Sequence, residues 1–373
     1  MEKMIAGGSC ITRIDGKAVF VPFTLPGETI DLEITEDRKD YSFARVESVR
    51  SPSPKRVVPA CPVFGKCGGC TLQMTDNAYQ SELRLSIFKD ILFRAHVQSS
   101  GAITIESGEP VEYRSRFQFH RTQNGKIGFK AAESSEIVPL NDCVIAVPEI
   151  RKALQDGSLE ALARHYNAGD RFHVFAYQGK LYQEDDDTKG EVDILGVPVR
   201  FDVRGFFQSN IPLLERLISS VCRIDSPEPK NRLLDFYSGV GTFSIFAGKH
   251  FKETVLVEQN SDSLAIAREN LEMNKIKGTF CAVSDEKWPE RKEAKLSYDV
   301  AIIDPPRQGL SKKSLEWFIA SGIPELRYVS CDPVTFARDA VRLIAAGYTL
   351  SRVTLYDFYP QTHHIETAGF FIR

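Results

Sequence analysis

The stretch Arg327-Tyr328-Val329-Ser330-Cys331-Asp332-Pro333 constrains the fold of this chain more than any other. Tyr328 and Val329 read as the end of a short buried strand. Pro333 opens a helix, since its missing N–H costs nothing in a first turn. Val334, Ala337, Val341 and Ile344 then follow at a spacing that puts them on one helical face. Cys331 therefore sits in the turn leaving the carboxyl end of a strand, where ligands bind in open α/β sheets. A thiol near a helix N-terminus has its thiolate stabilised, which suits a nucleophile. The plainer reading is a small, inert core residue.

Strand and helix alternate from about Phe206 onward. Arg232–Phe236 reads as a strand that runs through Asp235-Phe236-Tyr237-Ser238-Gly239-Val240-Gly241-Thr242 into a helix reaching Ala247. Glycines at such a bend admit a ligand close to the backbone, and the helix N-terminus favours negative charge. Strand Val255-Leu256-Val257 ends in Glu258, placed to accept hydrogen bonds from ribose hydroxyls. A G-x-G is weak alone and is shared with NAD enzymes. Asp235 and the short glycine pattern fit S-adenosylmethionine better than the G-x-G-x-x-G fingerprint. Helix Ser261–Asn274, strand Tyr298–Ile303, helix 333–346 closed by Gly347, and strands Leu350–Tyr356 and Ala368–Ile372 complete the pattern. The expected fold class is α/β, with a Rossmann-like C-terminal domain over 206–373.

The other end of the chain is different. Asp15-Gly16 is a hairpin signal between Ile11–Ile14 and Ala18–Val21, and Thr29–Ile34 and Tyr41–Val49 give further strands. Short strands packed this densely predict a small closed β-barrel over 1–54, a shape that often binds single-stranded nucleic acid. Charge does not support that use, since the first 50 residues hold 9 acidic and 7 basic side chains. A proline-punctuated linker, Ser51–Pro59, leads into a middle segment expected over 55–205.

Cys61, Cys67 and Cys70 follow at once, spaced C-x5-C-x2-C with glycines between them. Thiolates in a tight loop suit zinc and an iron–sulfur cluster equally. Cys143 is the best fourth ligand. A thioredoxin-type pair is a weaker reading of Cys67–Cys70, because no strand leads into it. Tyr79–Ala95 reads as a helix with Leu83, Ile87, Ile91 and Leu92 on one face. Glu112–Arg121 reads as a strand mixing basic and aromatic residues, turned by Asn124-Gly125 into Lys126–Lys130. From Val111 to Lys130 there are five Arg/Lys against one Glu, a net of +4. Basic and aromatic side chains on one sheet suit RNA, although a solvated strand face explains them too. Glu184-Asp185-Asp186-Asp187 reads as a solvated acidic loop.

Composition bounds the rest. The 373 residues suffice for two or three domains, and no apolar run approaches a bilayer span. The N-terminus has no signal-peptide apolar region, so eight cysteines argue for cytoplasmic metal or catalytic chemistry rather than disulfides. A net charge of −3 argues against indiscriminate coating of nucleic acid.

Together these motifs resemble the RNA uracil-5 methyltransferase family, specifically its iron–sulfur branch with an N-terminal TRAM barrel. The resemblance spans nearly the whole chain. It rests on Cys61/Cys67/Cys70 with Cys143, Phe207-Gln208, Asp235–Thr242, Asp304-Pro305-Pro306-Arg307, Ser330-Cys331-Asp332-Pro333 and Pro360–Glu366, in the family's order. Asp304-Pro305-Pro306 is also similar to the motif of enzymes that methylate exocyclic amines. Those carry an aromatic residue after the prolines, where Arg307 stands here.

The resemblance implies that Gln208, Tyr237, Glu258 and Asp304 hold S-adenosylmethionine, with Asp285 near the adenine. It implies Cys331 as nucleophile, Glu366 as base, and a 4Fe–4S cluster on Cys61, Cys67, Cys70 and Cys143. Thr242 and Asp332 stand where relatives often carry Asn, and a charge at Asp332 would tend to raise the neighbouring thiol. The implied substrate is RNA, 23S ribosomal RNA before transfer RNA, acted on by a cytoplasmic monomer with no membrane partner. A cytosine-5 enzyme would share the cysteine addition, but its cysteine follows a proline, whereas Ser330 precedes Cys331. A non-enzymatic iron–sulfur RNA-binding factor is the reading from another class. The presence of both Cys331 and Glu366 speaks against it.

Overall fold

A computed structural model describes residues 1–184 and 189–373. Most of the acidic run read as a solvated loop, Asp185–Asp187, lies outside the described residues. The chain groups into two compact units: 1–87 with 108–181 and 359–364, and 88–107 with 182–358 and 365–373.

In the first unit, strands Lys3–Met4, Cys10–Ile14, Lys17–Val21, Tyr41–Ser51 and Thr29–Asp37 form a sheet in that order. The hairpin forms as expected, with Asp15 and Gly16 both at positive φ. The expected closed barrel is only partly closed. Lys3–Met4 and Thr29–Asp37 are the sheet's edges, tied together where the Gly27 amide donates to the Met1 carbonyl at 2.9 Å. Its core is correspondingly small: Val19, Val21 and Ala44.

A second sheet in this unit sets Arg171–Tyr177, Arg116–Arg121, Ile127–Lys130 and Ile137–Pro139 side by side, all antiparallel. Its strand begins at Arg116, not Glu112, because Glu112 takes φ +53° and breaks the extended run. The aromatic residues expected to meet RNA bases do not face outward. Phe117 and Phe119 are buried, and with Phe129 they stack at centroid distances of 5.0–5.7 Å inside the core. The period-two alternation was visible in the sequence, but the buried face turned out to be the aromatic one. Only the basic and polar face of that strand is left for a ligand.

The second unit is built on an eight-stranded sheet. Its order is Gly278–Ala282, Phe251–Glu258, Lys230–Phe236, Val300–Ile303, Glu325–Ser330, Glu366–Ile372, Thr349–Tyr356 and Ile103–Glu106. The first five strands are parallel, and Glu366–Ile372 runs antiparallel to both neighbours. Leu233, Leu234, Phe236, Val255–Val257 and Val300–Ile303 are all buried, as strands covered on both faces require. The sequence order reverses between Lys230–Phe236 and Val300–Ile303, so a crevice opens at the carboxyl ends of those strands. This is a Rossmann-like methyltransferase fold. Among the described residues no helix is long and apolar enough to cross a membrane.

Candidate active site

Strand register lines up the residues singled out in the sequence along one edge of the second unit's sheet. Phe236 pairs with Val257 and with Ile303, and Ile303 pairs with Tyr328. Tyr237, Glu258 and Asp304 therefore leave three adjacent strands at the same level. Ser330 pairs antiparallel with Thr367, which sets Cys331 directly across from Glu366. Residues up to 129 positions apart in the chain are brought to one side of the sheet in this way without any of them being neighbours in sequence.

The Tyr237–Thr242 bend is held tightly. Tyr237 takes φ +67°, and the amides of Tyr237 and Ser238 both donate to the Val257 carbonyl. Gly241, at φ +79°, has no room for a Cβ, which would lie 3.1–3.3 Å from Leu271, Ala267 and Leu256. Glu258 accepts from the Gly239 amide at 3.1 Å and the Asn260 amide at 2.7 Å, one on each oxygen. Each oxygen keeps a lone pair for a ligand hydroxyl.

The Tyr237 hydroxyl donates to Asp285 at 2.8 Å. Burial pushes the Asp285 carboxyl up, but hydrogen bonds from Ser311, Tyr237, the Glu286 amide and Ser314 outweigh it and hold the group below the usual carboxylate range. Sequence reasoning missed Ser311 and Ser314. The signal was present, since Ser311 caps the Lys312–Ser321 helix by accepting from the Ser314 amide.

Among the described residues of this unit, the buried polar atoms Gln208 Oε1, Ser209 Oγ, Ser238 Oγ and Asp235 Oδ1 have no hydrogen-bond partner. Gln208 lies between Phe207, stacked on Phe201 at 4.3 Å, and Asn210, which caps the Ile211–Val221 helix. Orphaned buried polar groups are costly, so this set fits a polar ligand such as S-adenosylmethionine. Burial pushes the Asp235 carboxyl up to about 6 despite hydrogen bonds from Ser244.

Cys331 is half-buried and Glu366 is 4% exposed. The thiol is pushed up to about 12, first by burial, then by the charges of Glu366 and Asp304; Arg307 acts the other way. The stabilisation expected from the helix N-terminus meets a larger opposing effect here, burial. Burial also pushes the Glu366 carboxyl well up, with Asp304 adding to the effect, and burial with Asp235 raises Asp304. Among the described residues, no side chain or amide donates to either carboxylate. Asp332 beside the thiol has a second role. Its Oδ1 is the helix N-cap, accepting from the Val334 amide at 2.9 Å and the Thr335 amide at 2.8 Å.

The predicted apolar face of that helix is also rotated. Val334 is 53% and Val341 38% exposed, while Phe336, Ala337, Asp339, Ala340 and Leu343 are buried. Asp339 is tolerated inside because it accepts from the Tyr328 hydroxyl at 2.7 Å and the Leu310 amide at 3.0 Å.

In the first unit, Cys61, Cys67, Cys70 and Cys143 line one cavity of about 330 Å³, together with Gln73, Arg114 and Phe129. Among the described residues no three or more His, Cys, Asp or Glu are arranged, as they stand, to hold a metal ion. The cavity is roomier than a single ion needs. Burial and the neighbouring thiols push Cys70 up to about 12, and burial pushes Cys143 up to about 11. Such a set becomes anionic together only around a cation.

The profile of the tRNA (uracil-5-)-methyltransferase family matches residues 176–373, and that of the TRAM domain matches residues 5–46. The chain belongs to the tRNA (uracil-5-)-methyltransferase family. It is thereby an S-adenosylmethionine-dependent methyltransferase of the RNA uracil-5 class. An uncharacterized RNA methyltransferase of Treponema denticola is 40% identical over 400 residues, covering 99% of this chain and 97% of that protein. The 23S rRNA (uracil(1939)-C(5))-methyltransferase RlmD of Shewanella sp. (strain MR-4) is 30% identical, covering 98% and 93%. The tRNA (uracil-54, C5)-methyltransferase of Pyrococcus abyssi, solved with S-adenosyl-L-homocysteine, shares the fold. Its TM-score is 0.77 at 22% identity, over 100% of this chain and 99% of that one. In this member of the uracil-5 methyltransferases, Tyr237, Glu258, Asp304, Cys331 and Glu366 lie along one side of the sheet.

Proposed function

We propose that this chain methylates carbon 5 of a uridine in 23S ribosomal RNA. The observation that carries the reading is the antiparallel register that sets Cys331 across from Glu366, with Asp304 ending the neighbouring strand. The choice of RNA rests on the relative from Shewanella, whose similarity runs nearly end to end. Transfer RNA is the second candidate. We take the enzyme to act as a cytoplasmic monomer.

Carbon 5 of uracil is a poor nucleophile. Addition of the Cys331 thiolate to carbon 6 moves an electron pair into the ring and makes carbon 5 an enolate carbon. S-adenosylmethionine, held by Gln208, Tyr237, Glu258, Asp304 and Asp285, supplies an electrophilic methyl group to that carbon. Glu366 then takes the remaining proton from carbon 5, and the electrons freed expel the Cys331 thiolate. A carboxyl group raised by burial is matched to this role, because a stronger base forms once it ionises. The target base must leave its stack to reach Cys331.

Cys61, Cys67, Cys70 and Cys143 would hold a 4Fe–4S cluster. The cavity they share and the chemistry of four thiols fit it, and its contribution would be structural.

The test is transfer of labelled methyl to unmodified 23S ribosomal RNA and, separately, to a transfer RNA transcript, with nucleoside analysis. The expected product is 5-methyluridine in ribosomal RNA, lost in Cys331→Ala. Label on cytosine, label only in transfer RNA, or none from cofactor-bound protein would each displace this reading.

A further inference from the structure

We propose that Arg307 is the cation that holds the Cys331 thiolate, and that Thr335, Arg338 and Asp339 are positioning residues that keep Arg307 in place. The inference rests on Cys331 being the nucleophile, and it adds a device that prepares it.

The loop Asp304–Leu310 leaves the end of strand Val300–Ile303 and is gripped by one helix, Pro333–Ala345, which begins two residues after Cys331. Thr335 Oγ1 donates to the Arg307 carbonyl at 3.1 Å. Arg338 Nη2 donates to the Gln308 carbonyl at 2.9 Å and the Leu310 carbonyl at 3.1 Å. Asp339 Oδ2 accepts from the Leu310 amide at 3.0 Å, and its Oδ1 accepts from Arg338 Nε at 2.8 Å. Between them Gly309 takes φ +71°, and a Cβ there would come within 2.7 Å of both Arg338 and Asp339. Each of these bonds from the helix to the loop is made to the loop's main chain. It therefore fixes where residue 307 stands while leaving its side chain unused.

The Arg307 side chain is exposed and makes no ion pair among the described residues. The charged groups that act on Cys331 are Glu366 from strand Glu366–Ile372, Asp304 from the end of its neighbour, and Arg307 from the loop. Two of the three are carboxylates and oppose the thiolate. Arg307 works against them, and its place is set by geometry: Thr335 Oγ1 lies 3.1 Å from the Arg307 carbonyl and 3.2 Å from the carbonyl of Asp332, the residue that follows Cys331. A nucleophile flanked by the buried Glu366 and the partly buried Asp304 needs such a counter-charge, and a flexible loop would supply it poorly.

The test reads Cys331 without RNA or methyl donor, so a wrong substrate assignment cannot affect it. Full-length protein is alkylated with iodoacetamide across neutral to alkaline pH, and Cys331 is followed by peptide mass spectrometry, with Cys331→Ala as the blank. Arg307→Met should slow Cys331 alkylation about tenfold at mildly alkaline pH and move the profile upward, the effect of one pKa unit. Arg307→Lys should retain most of the rate. Arg338→Met and Asp339→Asn should shift the profile in the same direction as Arg307→Met, and adding either to Arg307→Met should cost nothing further. Thr335→Val, which removes one bond, carries the same expectation at smaller size should the others fail to fold. An unchanged profile in Arg307→Met, even with weakened RNA binding, would make Arg307 a phosphate anchor and overturn the proposal. Additive losses from Arg338→Met and Arg307→Met would overturn the positioning role. Loss of the proposed function itself would show separately, as methyl transfer that survives Cys331→Ala.

Discussion

Glu366 is a carboxyl group placed where its charge is least welcome: buried, without a donor among the described residues, and under the influence of Asp304. Its folded pKa lies above the ordinary 4.5. The fold therefore favours the neutral acid, and the stability this confers is present below about pH 4.5 and lost as pH rises through the raised value. Glu366→Gln should thus raise the melting temperature at pH 8 by a few degrees, with the gain shrinking toward pH 5. Calorimetry at the two pH values checks this, and an equal or lower melting temperature at pH 8 would mean that the carboxyl is not held as described. The same substitution should reduce turnover by roughly 10²–10⁴-fold, the usual worth of a positioned base.

At the scale of elements, the helix Pro333–Ala345 shows what local sequence does and does not carry. Its existence and its start follow from Pro333 and the apolar period. Its phase does not. The sequence offers Val334, Ala337, Val341 and Ile344 as a face, yet of these only Ala337 is fully buried, and Phe336 and Asp339 are turned inward with it. An aspartate becomes an inside residue only when a tyrosine hydroxyl and a loop amide from elsewhere are aimed at it, and no local pattern announces them. Asp332 teaches the same lesson in reverse, since a residue singled out for its charge is also the helix N-cap. Asp332→Asn should leave stability unchanged within about 0.5 kcal/mol, while Asp332→Ala should cost about 1 kcal/mol in urea denaturation. An equal cost for both would point to the charge rather than the cap.

At the scale of the whole molecule, four of the second unit's adjoining parallel strands were legible because each is a short apolar run ended by a chemically distinctive residue, Tyr237, Glu258, Asp304 or Cys331, whereas Gly278–Ala282, which has no such ending, was not read. Their assembly along one edge was not legible from periodicity, because register is a property of pairs of strands. Strand Ile103–Glu106 makes the point most clearly. It pairs with Thr349–Tyr356, some 250 residues away, and nothing near it says so. The aromatic core of the first unit's sheet was misread for a related reason, since alternation gives two faces without saying which is covered. The four cysteines were legible from spacing and do line one cavity. Protein purified without oxygen should carry iron and acid-labile sulfide, with visible absorbance that bleaches on reduction. Single Cys→Ser changes at Cys61, Cys67, Cys70 or Cys143 should abolish it, whereas stoichiometric zinc in colourless protein would reject the cluster.

The central claim is the division of labour between Cys331 and Glu366. It is tested most directly by incubating Glu366→Gln with target RNA and methyl-labelled S-adenosylmethionine and resolving the mixture under denaturing conditions. The account predicts a labelled protein–RNA adduct that maps to Cys331, persists because carbon 5 keeps its proton, and is missing when Cys331→Ala is added. Free 5-methyluridine released at the wild-type rate, or an adduct through any other residue, would contradict it.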